Sequence, residues 1–285
     1  MADTEPDFTL ANSTLAIIGL GLMGGSLALA LRGKCRAVLA ADPNPTTQQL
    51  ARQFRVVDEI CASPADILPR ADFVILAAPV QVILSQIANL PSHHPGSPVV
   101  MDIGSTKTDI VAALDALPPR FDPIGGHPMT GKETAGLGSA DADLYRGAAF
   151  ALTPLARSTR RARMLAEELV QSIGAHPLWL DAETHDAWVA ATSHLPYLVA
   201  AALALATPEE VHPLVGPGFR STSRVAGSDP RMMRDILLTN RTAVLAALDR
   251  YKTALSHLET LLATDSPNLE DQMRLAKSVR NRLTR

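Results

Sequence analysis

The stretch Leu15-Ala16-Ile17-Ile18-Gly19-Leu20-Gly21-Leu22-Met23-Gly24-Gly25-Ser26-Leu27 decides the fold. An apolar run gives way to three spaced glycines and then to a helical pattern, which reads as a strand, a tight turn and a helix start. Gly19 permits the turn, Gly21 lets a pyrophosphate approach the backbone without meeting a Cβ, and Gly24 lets the helix pack close to the strand. The first helical N–H groups, at Leu22 and Met23, then face an anion. The next strand-like run, Ala37-Val38-Leu39-Ala40-Ala41, ends at Asp42. An acidic residue at that place in a βαβ unit accepts hydrogen bonds from the adenine ribose hydroxyls. A carboxylate there repels a 2′-phosphate, so the expected cofactor is NAD rather than NADP. The plainer role for Asp42 is to start the Asp42-Pro43-Asn44-Pro45 turn.

From Leu15 to about Leu180, short β-like runs alternate with helical patterns, as parallel βαβ units do. Strands are expected over 15–18, 37–41, 73–77, 99–103, 149–152 and 177–180, with helices over 43–54, 80–90 and 107–117 between some of them. The fold class is therefore α/β: a Rossmann-type doubly wound dinucleotide-binding domain over 13–180, after a flexible tail over 1–12, with an all-α substrate and dimerisation domain over 181–285. In the second part Trp188, Ala191, Leu195, Leu198, Ala202 and Leu205 recur at helical intervals. After Ser228-Asp229-Pro230 an apolar pattern from Met233 to Leu262 continues for over thirty residues. One helix of that length is hard to bury in a small domain, which predicts packing against a second subunit and a homodimer.

Composition narrows the function classes. The 285 residues carry a formal charge of −3 and show no clustered Lys/Arg run, which argues against nucleic acid as a partner. Cys35 and Cys61 lack metal-type spacing, so no metal is expected, and free thiols fit a cytoplasmic protein. The first twelve residues lack the basic and apolar regions of a signal peptide. The longest apolar stretch, 198–206, falls short of the roughly 20 residues of a membrane helix, so no membrane is expected either.

Three loops follow strands and open toward the cofactor's reactive end. Ala77-Ala78-Pro79-Val80 offers backbone contact to the cofactor through Ala78 and Pro79. Asp102-Ile103-Gly104-Ser105-Thr106-Lys107 offers the Ser105 hydroxyl, whose plainer role is a helix N-cap. Gly125-Gly126-His127-Pro128-Met129-Thr130-Gly131-Lys132-Glu133 places a histidine in a rigid loop with little apolar surface. Oxidation of a hydroxyl by a nicotinamide needs a base of near-neutral pKa at that oxygen, and His127 is the best candidate. His93 and His94 lie in a Pro/Ser-rich loop and read as solvated. In Thr192-Ser193-His194-Leu195-Pro196-Tyr197, His194 and Tyr197 fall on one helix face, as site residues or as a packed pair, and Pro196 predicts a kink with a freed carbonyl. Arg220 and Arg224 are four apart and suit a carboxylate-bearing substrate, or else a pair of surface salt bridges.

The chain resembles the prephenate and arogenate dehydrogenase family of tyrosine biosynthesis. The resemblance covers most of 14–260 and is carried by GLGLMGGSLA at 19–28, DIGSTK at 102–107, GGHPMTGKE at 125–133, THDAWVAATSHLP at 184–196 and FRSTSRVAGSDPRM at 219–232. It implies an NAD-binding domain, an all-helical dimerisation domain and an active site between them. His127 matches the histidine that accepts the ring hydroxyl's hydrogen bond and proton while ring C4 gives its hydride to NAD. Ser105 matches a serine supporting that histidine. Arg224 matches the arginine that holds a substrate carboxylate, and Glu133 and His194 match positions lining the site. Two positions depart from the family pattern: Tyr197 stands where many prephenate-using members carry a histidine, and Met233 where a tryptophan is common. Both fall where selectivity is set and leave prephenate and arogenate both open; the expected small-molecule substrate is prephenate, with arogenate, alone or as a second substrate, as the alternative. A β-hydroxyacid dehydrogenase or a non-catalytic NAD-binding sensor are further alternatives; the first usually relies on a lysine in the helical part, where only Lys252 and Lys277 occur. The length also leaves no room for a fused mutase or a complete regulatory domain.

Overall fold

The computed structural model describes residues 8–132 and 134–284. Eight strands form one sheet: β1 (Thr14–Ile18), β2 (Ala37–Ala41), β3 (Glu59–Cys61), β4 (Phe73–Leu76), β5 (Val99–Asp102), β6 (Asp122–Pro128), β7 (Ala149–Pro154) and β8 (His176–Trp179). Their order is β3-β2-β1-β4-β5-β6-β7-β8. The first six run parallel in the doubly wound arrangement. The central strands are buried on both faces, which is why they are continuous Ala, Val, Ile and Leu runs with no polar alternation. Helices α1 (Leu22–Ala30), α2 (Pro45–Gln53), α3 (Val80–His93), α4 (Thr108–Asp115) and α5 (Arg160–Ser172) cover the two faces.

The far side of the sheet departs from an all-parallel reading. β7 pairs antiparallel with β6, with His127 opposite Ala151. His127 therefore sits within a strand and not in a loop. Gly125 and Gly126 hid this strand, because glycine is poor in strands and Pro128 ends the run. The short β3 was also not expected. Its pattern is only Glu-Ile-Cys, too brief for a periodicity.

The segment 8–12 is not a loose tail. Leu10 is buried, its N–H donates to Glu168 Oε2 at 2.9 Å, and the Arg161 guanidinium lies over the Phe8 ring. Residues 1–7, the rest of the expected tail, lie outside the described residues. His94 is likewise not solvated: it is buried, with Nε2 2.9 Å from the Ala71 carbonyl and Nδ1 accepting the Gly96 N–H. The carbonyl can only accept, so Nε2 carries the proton and the ring acts as a loop staple.

Past Trp179 the strands cease and helices take over: α6 (Ala182–Val189), a π turn (Ala190–His194), α7 (Leu195–Ala206), α8 (Pro217–Ser223), α9 (Pro230–Thr239), α10 (Arg241–Ala263) and α11 (Asn268–Leu283). Pro196 does not simply kink its helix. The turn before it is widened, with the Leu195 N–H reaching back to Ala190 O, which accommodates a ring that cannot donate. The run expected to continue past thirty residues is broken at Asn240, between α9 and α10. Met233 and Ile236 of α9 join the core on one face of the sheet, and Tyr197 packs against the same cluster. Among the described residues one continuous helical stretch, 182–206, is long and apolar enough to cross a membrane. Its first half carries His185, Asp186 and His194, all buried against the sheet domain or its neighbours, so that half is committed to the folded protein.

Candidate active site

The glycine turn has the shape its sequence predicts. Gly19 adopts φ +100°, and a Cβ there would lie 2.5 Å from Ala77 O. At Gly24 a Cβ would lie 2.0 Å from Gly19 O, so only glycine lets α1 approach the turn. Gly21 faces open space, with nothing within 4 Å of an added Cβ. The first intrahelical bond runs from Gly25 N to Gly21 O, which leaves the N–H groups of Leu22, Met23 and Gly24 without helical acceptors. This cradle fits a dinucleotide pyrophosphate. Asp42, half-buried at the end of β2, accepts the Leu20 N–H at 2.8 Å on one oxygen and the Asn44 N–H at 2.9 Å on the other. It thus both starts the turn and pins the glycine loop beside which a ribose would lie. Ala78 and Pro79 follow β4, half-buried and exposed respectively, on the same edge.

The side of the site that carries His127 is assembled by one carboxylate. Asp186, midway along α6, accepts the backbone N–H groups of Lys107 and Thr108 at 2.8 Å each and the Thr108 hydroxyl at 2.6 Å. It therefore caps α4 from another part of the chain. Ser105, read from sequence as a possible N-cap, does not fill that role: α4 has no cap from its own segment. Asp186 Oδ1 also lies 2.8 Å from His185 Nδ1, and His185 Nε2 lies 2.8 Å from His127 Nδ1. Burial pushes the Asp186 carboxyl up, but the hydrogen bonds from His185, Thr108 and the Lys107 backbone together outweigh it and hold the group below the ordinary carboxylate range.

An ionised Asp186 accepts only, so His185 donates from Nδ1. With His185 Nε2 as the acceptor of the pair, His127 carries its proton on Nδ1. The lone pair of His127 is left on Nε2. Burial first, and then the neighbouring His185, Lys107 and His194, push the His127 imidazole well below its usual 6.5. The ring is therefore a neutral base at physiological pH.

Beneath it lies a buried ion pair between Lys107 and Asp102, both side chains fully buried. Asp102 also accepts the Gly104 N–H at 2.8 Å and the Gly126 N–H at 3.2 Å. The pair joins the end of β5, the start of α4 and the strand that carries His127.

Of the other residues picked from sequence, the structure gathers some and not others. Ser105 is half-buried on the loop between β5 and α4; the partner of His127 is His185 and not Ser105. His194 is buried, with Nδ1 3.2 Å from Asn240 Nδ2, and lies within electrostatic reach of His127. Tyr197 is half-buried one turn later. Arg220, at the end of α8, and Arg224, which opens the following 3-10 turn, are both exposed on the segment packed against α7. Glu133 lies outside the described residues. No cluster of His, Cys, Asp and Glu that could hold a metal occurs among the described residues. His185, Asp186, Lys107 and Asp102 carry the site's polar framework without standing out in the sequence. The available signal was the adjacent His-Asp pair in an otherwise apolar helical run.

The family model described as "Prephenate dehydrogenase, nucleotide-binding domain" matches residues 27–178, and that described as "Prephenate dehydrogenase, dimerization domain" matches 181–278. The chain belongs to the prephenate dehydrogenase family. A prephenate dehydrogenase of Bacillus subtilis is 32% identical over 95% of this chain and 76% of its own length. The solved prephenate dehydrogenase of A. aeolicus, in complex with hydroxyphenyl propionate and NAD+, superposes with a TM-score of 0.88 at 31% identity, covering 96% of this chain and 99% of that one. The arogenate dehydrogenase of Synechocystis superposes with a TM-score of 0.83 at 29% identity, covering 95% and 100%. As a member of the prephenate dehydrogenase family the chain is an NAD-dependent oxidoreductase, as the glycine turn and Asp42 led one to expect. The β-hydroxyacid reading loses its support, because Lys252 and Lys277 both lie exposed on α10 and α11.

Proposed function

We propose that the chain catalyses the NAD-dependent oxidative decarboxylation of prephenate to 4-hydroxyphenylpyruvate and CO2, the step that makes the tyrosine precursor. The observation that carries this reading is the file Asp186–His185–His127, which ends in an imidazole lone pair on Nε2. NAD bound on the glycine turn supplies the hydride acceptor. His127 Nε2 takes the proton of the ring hydroxyl as the C4 hydride leaves. The bond to the ring carboxylate breaks, its electron pair completes the aromatic ring, CO2 departs, and the phenolic oxygen recovers a proton. His185 and Asp186 hold the His127 tautomer and spread the positive charge that the proton brings, as in other base–orienter pairs. Because loss of CO2 drives the chemistry, the protein has mainly to orient, accept a proton and steady charge.

Arg224, with Arg220 one helical turn earlier, offers guanidinium groups for a substrate carboxylate; Ser105 and Glu133 are assigned to the same site, the former on the loop ahead of α4. The second reading is arogenate as substrate. It is favoured by Tyr197 and Met233, which pack on one cluster of the sheet domain in place of the histidine and tryptophan common in prephenate users. The protein acts as a homodimer in the cytoplasm: Leu205, Leu262 and Leu283 are 89%, 70% and 80% exposed in the single chain, on α7, α10 and α11, which is apolar surface a second copy would cover. Purified protein given NAD or NADP with prephenate or arogenate tests the reading. NADH and a keto-acid or amino-acid phenol are expected; no turnover of either compound refutes it.

A further inference from the structure

Asn240 ends α9 and begins α10. Its N–H donates to the Ile236 carbonyl at 3.1 Å and its carbonyl accepts the Val244 N–H at 3.0 Å. At φ −118° and ψ 29° it lies outside helical geometry, and its side chain is turned to a different use. Asn240 Nδ2 lies 2.7 Å from the backbone carbonyl of Asp186 and 3.2 Å from His194 Nδ1.

A carbonyl oxygen can only accept, so the Asn240 atom facing Asp186 is the amide nitrogen and not the amide oxygen. That nitrogen has two hydrogens and no acceptor capacity. One hydrogen goes to the Asp186 carbonyl, and the other is directed at His194 Nδ1, which must accept. His194 therefore carries its ring proton on Nε2. Burial lowers its pKa, which Asp186 raises and His185 lowers, leaving it at about 4, so the ring is neutral near pH 7 and keeps this tautomer. His194 Nε2 donates to none of the described residues, and the residue is 2% exposed. The atom is not one of the buried polar atoms left without a partner, so it reaches the little surface the residue has, where a bound ligand would supply the acceptor.

We propose that Asn240 is a positioning residue that fixes His194 as an Nε2–H donor to a carboxylate or carbonyl oxygen of the bound substrate. The assignment rests on the dehydrogenase reading given above. His127 and His194 then present opposite faces of the same chemistry, a lone pair and an N–H, each locked by its own partner. Asp186 stands behind both locks, through its carboxylate for one and its backbone carbonyl for the other. The opposite tautomer of His194 would aim a lone pair at an oxygen that can only accept.

Nitrogen-15 NMR of the histidine-labelled, unaltered enzyme, with the His194 resonances assigned through their loss in His194→Gln, reads the tautomer without reference to activity. The expected spectrum has a protonated Nε2 and an unprotonated Nδ1; the reverse overturns the proposal. Asn240→Ala and Asn240→Asp provide the second readout. Each should shift His194 away from the pure Nε2–H form and raise substrate KM about tenfold, with a smaller change in kcat. An active Asn240→Ala enzyme with unmoved KM overturns the substrate role while the dehydrogenase reading stands. If the unaltered enzyme turns over neither prephenate nor arogenate, the dehydrogenase reading itself falls and the substrate role with it.

Discussion

His127 Nδ1 and His185 Nε2 lie 2.8 Å apart, and their rings meet edge to face at 65° with centroids 5.0 Å apart. Two imidazoles can share such a bond only if one is the donor, and the Asp186 carboxylate decides which. The direction of a proton on His127 is thus set two groups away, at the residue that also caps α4.

Replacement of His127 by Asn removes the base and keeps a similar size. The expected loss in kcat is about 10²–10⁴-fold, the usual worth of a positioned general base. NAD affinity should be retained, because the glycine turn is untouched. Steady-state rates together with NAD binding by fluorescence check both halves, and an unchanged kcat would show that His127 is not the base.

His185→Gln tests the file itself. A Gln side chain cannot bridge His127 and Asp186 as an imidazole does, nor share the positive charge that the proton brings, so kcat should fall by about tenfold or more with KM little changed. Asp186→Asn should do the same and in addition lower stability by about 1 kcal/mol through the weakened cap of α4. Thermal unfolding of the two variants separates the contributions: only the Asp186 variant should melt early.

The pH dependence has a definite sign. His127 and His194 are both held below the usual 6.5, His194 at about 4. In the unfolded chain they bind protons from about 6.5 downward, while the folded protein resists protonation, so between these values the unfolded state carries more protons. The stability that these groups confer is full above 6.5 and is lost as the pH falls toward 4. With His127 as the proposed neutral base, the acid limb of kcat/KM should likewise lie below 6.5. Urea titrations and rate profiles over pH 4–8 measure both, and a limb above 6.5 would contradict the assignment.

Asp42→Ser should weaken the preference for NAD over NADP by removing the carboxylate that repels a 2′-phosphate. It also frees the Leu20 N–H, to which Asp42 is bonded at 2.8 Å, so KM for NAD should rise as well. Kinetics with both cofactors decide it. An unchanged ratio would mean that Asp42 serves only the turn.

Much of this architecture could be read from the chain because local chemistry dictated it. Apolar runs with no polar alternation identify the central strands, and Gly19 and Gly24 are required by contacts that any side chain would violate. The strand of His127 was hidden because Gly125, Gly126 and Pro128 all have poor strand propensity, and its antiparallel partner β7 is fixed by tertiary pairing. The break at Asn240 was hidden for a similar reason. The apolar period continues across it, and only the side-chain bonds to Asp186 and His194 explain the stop. The capping of α4 by Asp186 spans 78 residues of sequence from Thr108, beyond the reach of any local spacing rule. Residue types could suggest which histidine reacts, but which nitrogen reacts depends on partners that folding brings together.

Lys107→Met probes the support under the site. Lys107 and Asp102 are both fully buried, and Asp102 additionally receives the Gly104 and Gly126 N–H groups. Removing the cation leaves a buried carboxylate without its counter-charge, which costs about 3–5 kcal/mol in comparable cases. Burial lowers the Lys107 ammonium's pKa while Asp102 raises it, so the pair is held by charge at the expense of solvation. Loss of Lys107 also takes a positive charge away from His127, whose pKa it helps to depress. Where the variant still folds, the acid limb of kcat/KM should therefore move upward. A Lys107→Met enzyme with native melting temperature and an unmoved limb would show that the ion pair neither stabilises the sheet edge nor bears on the base.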